Sequence, residues 1–180
     1  MFKGKARARV GINWVAWLVF IGCLCVNFFG CTKNYHFENA DEVIQKTEIN
    51  RVMLSPEATV DGPYAETPDK NALYMLTARY QSNQLIDYQL VIYQTRRREV
   101  GPAYYYEALD PQGNKMEMMK FLDTFSDSDE KIGIKIPKDY LYSLQDKGME
   151  FQLYGKRDSL SVRVEGFYIK GFLAKAKEIH

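Results

Sequence analysis

Few side chains in this sequence have chemistry that could act on another molecule. Three thiols, Cys23, Cys25 and Cys31, lie within or at the end of one uncharged run, and no cysteine follows. The two histidines, His36 and His180, have no ligand cluster beside them, so a zinc site is not expected. Arg96-Arg97-Arg98, followed by Glu99, could grip an anionic partner by bidentate pairing. The same charges could instead shield a strand edge from aggregation. Tyr104-Tyr105-Tyr106 would place Tyr104 and Tyr106 on one face of a strand and Tyr105 on the other. Two large amphipathic rings on one face can line a glycan platform or a protein interface. Glu107 and Glu117 flank one turn and could converge as an acid and base pair, although such positions are more often solvated. There is no nucleophile elbow, phosphate-binding glycine loop or HExxH pattern, so neither an enzymatic activity nor a cofactor or metal is expected.

The thiols sit in a segment unlike the rest of the chain. Lys3, Lys5, Arg7 and Arg9 crowd its start without an acid, and Val10 to Gly30 carries no charge at all. A basic start followed by an apolar run is the pattern of an export signal. Basic residues stay on the cytoplasmic side, so the chain after the run is the part that crosses. A run of about twenty residues also suffices to span a bilayer as an uncleaved helix. Beyond residue 30 there are twenty basic and twenty-three acidic side chains, a net charge of −3, and nucleic acid is not an expected partner. Both tryptophans, Trp14 and Trp17, belong to the segment, whereas all thirteen tyrosines follow it.

Two Gly-Cys pairs stand in this run, in Phe20-Ile21-Gly22-Cys23 and in Phe28-Phe29-Gly30-Cys31. The segment resembles a bacterial lipoprotein signal, in which cleavage before such a cysteine leaves it N-terminal and lipidated. Phe29 and Ile21 are bulkier than the small residue usual before that glycine. Cys31 is the better candidate, because Thr-Lys-Asn-Tyr-His follows it as a polar tether, while Cys23 is the alternative. A thiol suits this role because its thioether to a diacylglycerol is stable, and several acyl chains anchor firmly where one does not. Thr32 is not the aspartate that retains such proteins at the inner membrane. In a Gram-negative host the resemblance therefore implies a lipid anchor on the periplasmic face of the outer membrane. The alternatives are an inner-membrane protein held by one N-terminal transmembrane helix, and ordinary secretion.

The organisation read from the chain is an export signal over 1–30, a tether and short helix over 31–48, and one β-rich periplasmic domain over 49–180. Residues 37–48 predict a helix capped by Asn39 or Asp41, and a brief strand is expected at 51–54. Three prolines and a glycine make 55–71 read as a long surface loop. IDYQLVIYQT predicts a strand with Ile86, Tyr88, Leu90 and Ile92 on one face. PAYYYEALD and KMEMMKFL predict an antiparallel hairpin about Asp110-Pro111-Gln112-Gly113-Asn114. KIGIKI turns Ile132, Ile134 and Ile136 inward, because a one-residue slip would bury its lysines. A short helix over 138–147 ended by Gly148, a hairpin of FQLYG with LSVRVEG, and a C-terminal helix with Tyr168, Phe172 and Ala176 on one face complete the reading.

These elements predict a mainly β fold, an antiparallel β-sandwich with short peripheral helices, with α+β as the alternative. The function expected is that of a non-enzymatic binding or structural component of a cell-envelope assembly, whose partners are the membrane, through lipid, and another envelope protein. A small-molecule or glycan-binding module built on the tyrosine strand is the rival, and a hydrolase a distant third. A concave aromatic pocket would favour the ligand, and a flat tyrosine patch or exposed strand edge a protein.

Overall fold

The computed structural model describes residues 35–53, 55–68, 70–95, 101–121 and 129–179. The core begins with the hairpin of β4 (Leu73–Gln81) and β5 (Gln84–Thr95), closed by Ser82 and Asn83. Both turn residues have positive φ, 52° and 62°, which suits a two-residue hairpin turn to the right-handed twist of its strands. On the inner face Tyr74, Leu76 and Ala78 stand opposite Ile92, Leu90 and Tyr88, and β8 (Asp129–Ile136) continues those rows with Ile132, Ile134 and Ile136. All nine are buried, as the isoleucine alternation of β8 predicts. Ile86 departs from the expected pattern. Arg79 pairs with Asp87 and Tyr80 with Leu85, so Ile86 is left over in a β-bulge and is 54% exposed.

β2 (Glu57–Asp61) and β3 (Ala65–Glu66) lie end to end along the other edge of β4, and β1 (Glu48–Arg51) pairs with β2. The expected surface loop over 55–71 is therefore corrected, since it holds two strands. Its prolines fall outside the ladder, at Pro56, Pro63 and Pro68, while Ala58 and Val60 alternate inward between them. The first strand lies at 48–51, a few residues before its expected place.

The predicted hairpin about Asp110 is corrected as well. β6 (Tyr105–Leu109) pairs with β9 (Met149–Gly155), and β7 (Met118–Lys120) pairs with β8. The turn itself forms. Asp110 Oδ1 accepts the Gln112 and Asn114 N–H groups at 2.9 and 2.8 Å, and Gly113 takes φ +83°. Bonds from the Asn114 side chain, then from the backbone, hold the Asp110 carboxyl below the usual carboxylate range. Past the turn the two arms share one backbone bridge, between Leu109 and Lys115, and no ladder. Longer ladders elsewhere then carry them into different sheets.

The result is a large antiparallel sheet in the order β1-β2-β4-β5-β8-β7 and a three-stranded sheet in the order β10-β9-β6, with β10 at Ser159–Val164. β9 and β10 form the expected hairpin, and Phe151, Leu153, Leu160 and Val162 belong to the same core as the large sheet. Among the described residues three helices complete the fold: α1 (Ala40–Lys46), α2 (Lys138–Ser143) and α3 (Gly166–Ala176), the last followed by a 3-10 turn at Lys177–Ile179. Asn39 caps α1 by accepting the Glu42 N–H at 3.0 Å. Gly148, at φ +80°, ends the turns after α2 by donating its N–H to the Leu144 carbonyl at 2.8 Å.

The apolar face of α3 presents Tyr168, Ile169, Phe172 and Leu173 to the core. The Tyr168 hydroxyl donates to the Pro63 carbonyl and accepts the Leu76 N–H at 3.4 Å. It occupies the space left by Gly62, where a Cβ would stand 2.7 Å from that oxygen. Gly171, one turn on from Tyr168, serves the contact with α1. A Cβ there would lie 2.5 Å from the Ala40 carbonyl oxygen and 2.8 Å from Val43 Cβ, so α1 crosses α3 at this residue.

Two outcomes follow from this packing. In an open helix Gly→Ala gains about 1 kcal/mol; here Gly171→Ala should lose about 1–3 kcal/mol through the backbone clash, read from urea unfolding. A stabilised variant would show that the helix crossing yields. On the outer face of β5, Asp87 accepts from Arg79, through Nε at 2.8 Å and again through Nη2, and from the Gln89 amide at 3.0 Å. The Arg79 bonds hold the Asp87 carboxyl below its usual range. Its stabilisation is thus complete above the unfolded pKa of about 4 and is lost as pH falls toward the folded value. Asp87→Asn should flatten the acid arm of a melting-temperature profile below about pH 4. Superimposable acid arms would refute that linkage.

Candidate exposed tyrosine surface

The tyrosine run reaches its arrangement through the start of β6. Tyr105 is fully buried, and its hydroxyl bonds to Gln94 Oε1 on β5 at 2.9 Å. The N–H groups of Tyr104 and Tyr105 donate to the two carboxylate oxygens of Glu130 on β8, at 3.0 and 2.8 Å. These bonds fasten the edge strand of the small sheet to the large one. Tyr104 takes φ +57° just before the strand, and Tyr106 falls at the register shift between Tyr105 and Glu107. Both rings reach solvent, 47% and 59% exposed, while Tyr105 points inward. The division matches the expected alternation, but a left-handed residue and a bulge produce it.

The neighbouring hairpin adds what the sequence did not reveal. Tyr154 on β9, opposite Glu107 in the register, is 39% exposed. The Arg157 guanidinium lies 5.4 Å from the centre of the Tyr104 ring, and the Arg157 backbone N–H donates to the Ala103 carbonyl at 3.3 Å. Gly155 permits that approach, because a Cβ there would meet the Ala103 carbonyl oxygen at 2.7 Å. The surface therefore combines three tyrosine rings with a stacked guanidinium. Its edge strand is partly protected: Glu130 takes the Tyr105 N–H, and Met116 N–H donates to the Ala108 carbonyl at 2.9 Å. Side chains, more than an open row of backbone groups, are what this surface offers.

Glu107 and Glu117 do not converge. Glu107 pairs with Lys115 at 2.6 Å and Glu117 with Lys135 at 3.3 Å. Arg96, Arg97, Arg98, Cys23, Cys31 and His180 lie outside the described residues. His36 is exposed. Among the described residues no three His, Cys, Asp or Glu side chains cluster as a metal would need. None of the described helices is long and apolar enough to cross a membrane.

Three cavities among the described residues differ in their charges. One of about 270 Å³ beside Phe37 mixes Lys70 and Arg163 with Glu66 and Glu165. Another, of about 340 Å³ beside Ile86, mixes Lys115 and Lys135 with Asp87 and Glu117. The third, of about 470 Å³, is lined by Tyr80, Tyr88 and Tyr142 with Lys138 and Lys177. Nothing in local sequence would have grouped these five, which come from β4, β5, α2 and the end of α3.

Glu130→Ala would remove both acceptors at the start of β6. Amide exchange at Tyr105 should accelerate at least about tenfold, with a global loss of about 1–2 kcal/mol. Unchanged protection there would mean that Tyr105 packing alone holds the strand. No protein-family model, no curated protein and no solved structure matches this chain.

Proposed function

We propose that this chain is a lipid-anchored envelope protein whose β-sandwich binds a second envelope protein through Tyr104, Tyr106, Tyr154 and Arg157, without catalysing a reaction. The observation that carries the reading is the solvent-facing trio of tyrosine rings with its stacked guanidinium. Tyrosine and arginine dominate binding energetics because each offers a large, stiff apolar body with a polar tip. The rings stand in solvent at an edge strand, and none of them lines the three cavities described above, which suits a protein face better than an enclosed ligand.

The anchor is read from the N-terminal segment. Its basic start, uncharged run and Gly30-Cys31 pair fit export followed by lipidation at Cys31, with Cys23 as the alternative. On this reading, in a Gram-negative host, the body stands at the periplasmic face of the outer membrane; an uncleaved helix would hold it at the inner membrane instead. In either place the partner is another envelope component, since tethering raises the effective concentration of neighbours on the same surface.

Two measurements test this. Radiolabelled lipid should enter wild type and Cys23→Ala but not Cys31→Ala, whose intact mass should be that of the full chain. Label persisting in Cys31→Ala would move the site, and an unlipidated full-length wild type would favour the uncleaved anchor. Crosslinking in the intact envelope should recover one protein with wild type, and at least about tenfold less with Tyr104→Ala/Tyr106→Ala. Equal recovery from a folded double variant would remove the tyrosine surface from the interface.

A further inference from the structure

The cavity floored by Tyr80, Tyr88 and Tyr142 differs from the other two in carrying charge of one sign, and it shares Leu85, Tyr88 and Lys138 with the adjoining cavity beside Ile86. Its lining includes Lys138 and Lys177 and no carboxylate. Among the described residues neither ammonium stands in an ion pair, whereas Lys115 and Lys135 beside the adjoining cavity are both paired. Lys138 begins α2 and Lys177 follows α3, so two separate elements bring the charges to one opening. Two unpaired ammonium groups over a common cavity repel one another unless an anion lies between them.

The floor is polar at its tips and firmly held. The Tyr80 hydroxyl donates to the Ala176 carbonyl at 3.0 Å, and the Tyr88 hydroxyl is hydrogen-bonded to those of Tyr80 and Tyr142. Tyr142 meets Tyr88 edge-on at 6.4 Å between ring centres, and the Lys177 ammonium lies 5.9 Å from the centre of the Tyr142 ring. Burial, then the Tyr142 bond, raises the Tyr88 hydroxyl far above its usual pKa, so it stays neutral. Asn83 and Gln84, at the β4–β5 turn, add amides at the lip. Neutral hydroxyls and amides suit a polyhydroxylated ring, aromatic edges suit its C–H groups, and paired ammonium groups suit one acid.

From these features we infer that this cavity binds an acidic sugar, with the ring hydroxyls against the tyrosine and amide groups and the carboxylate or phosphate between Lys138 and Lys177. The volume of about 470 Å³ falls within the range of small-ligand sites. The site is independent of Tyr104 and Tyr106, which lie on the small sheet.

The test is calorimetric titration of the detergent-solubilised full-length protein with glucuronate, glucose 6-phosphate, glucose and inorganic phosphate. At least one acidic sugar should bind with Kd on the order of 0.1–1 mM and shift the Tyr142 ring resonances, with glucose and inorganic phosphate each at least about tenfold weaker. Lys138→Gln/Lys177→Gln, at exposed positions, should weaken that binding about tenfold without changing the melting temperature. Tyr104→Ala/Tyr106→Ala should bind the sugar as wild type does. The inference is overturned if glucose binds as tightly as the acids, if inorganic phosphate binds as tightly as glucose 6-phosphate, or if the double lysine variant binds normally. It is equally overturned if neither acid produces heat or shifts up to about 10 mM.

Discussion

A phenol is buried without penalty only where a hydrogen-bond partner meets its hydroxyl, and this fold is arranged around a place that supplies both a donor and an acceptor. The Tyr168 hydroxyl sits between the Pro63 carbonyl and the Leu76 N–H, where the chain passes from β2 to β3. Those groups are open to it because β2 and β3 are interrupted there along the edge of β4. Gly62 supplies the space, and its own N–H bonds to the Leu76 carbonyl at 2.8 Å. The ring meets Tyr74 and Phe37 edge-on at 5.4 and 6.2 Å. One side chain thus fixes the depth and rotation of α3 against the large sheet. The position of α1 follows, because it crosses α3 at Gly171.

The same device recurs across the core. Tyr105 bonds to Gln94 and joins the two sheets, and Tyr80 bonds to the Ala176 carbonyl and ties β4 to the end of α3. Tyr74, pushed well above its usual pKa mainly by burial, bonds to the Glu165 backbone at the start of that helix. An aliphatic core tolerates sliding, because any apolar neighbour is nearly as good as another. Each buried hydroxyl here accepts one geometry, since a shifted partner would leave it unsatisfied at a cost of about 1–3 kcal/mol. The body has no cysteine to staple it, and this set of polar pins locates the helices on the sheets instead.

What was legible in the sequence was what local pattern controls. KIGIKI has a strict period of two with lysines on its other face, so only one register avoids burying charge. The Asn39 cap, the Gly148 stop and the β9–β10 hairpin are also local decisions. The failures occur where distant partners decide. Ala58 and Val60 form a strand because β4 offers an edge, although Pro56 and Pro63 enclose them. The turn at Asp110 forms as its residues dictate, yet its arms find β9 and β8. Ile86 leaves the inner face through a bulge that depends on the match between β4 and β5. For the exposed surface, the outward Tyr104 and Tyr106 were readable. Tyr154 and Arg157 were not, because only the β6–β9 ladder brings them beside that run. Tyr142 lies far in sequence from Tyr80 and Tyr88, and alternation marks Tyr88 only as core.

The backbone at Tyr104 argues that the exposed rings are placed with some force. A non-glycine residue at φ +57° costs about 1–2 kcal/mol relative to an extended one. An extended Tyr104 would continue the alternation of β6 and keep its ring on the face of Tyr106 without that cost. The left-handed turn instead lets the N–H groups of Tyr104 and Tyr105 reach one carboxylate together, and bonds to a charged acceptor are worth about 1.5–3 kcal/mol. The same turn sets the Tyr104 ring under the Arg157 guanidinium. Strain, ion and stacked cation are therefore coupled: the Glu130 bonds offset the backbone cost, and the resulting ring position creates the arginine contact. A surface left to ordinary solvation needs none of these three.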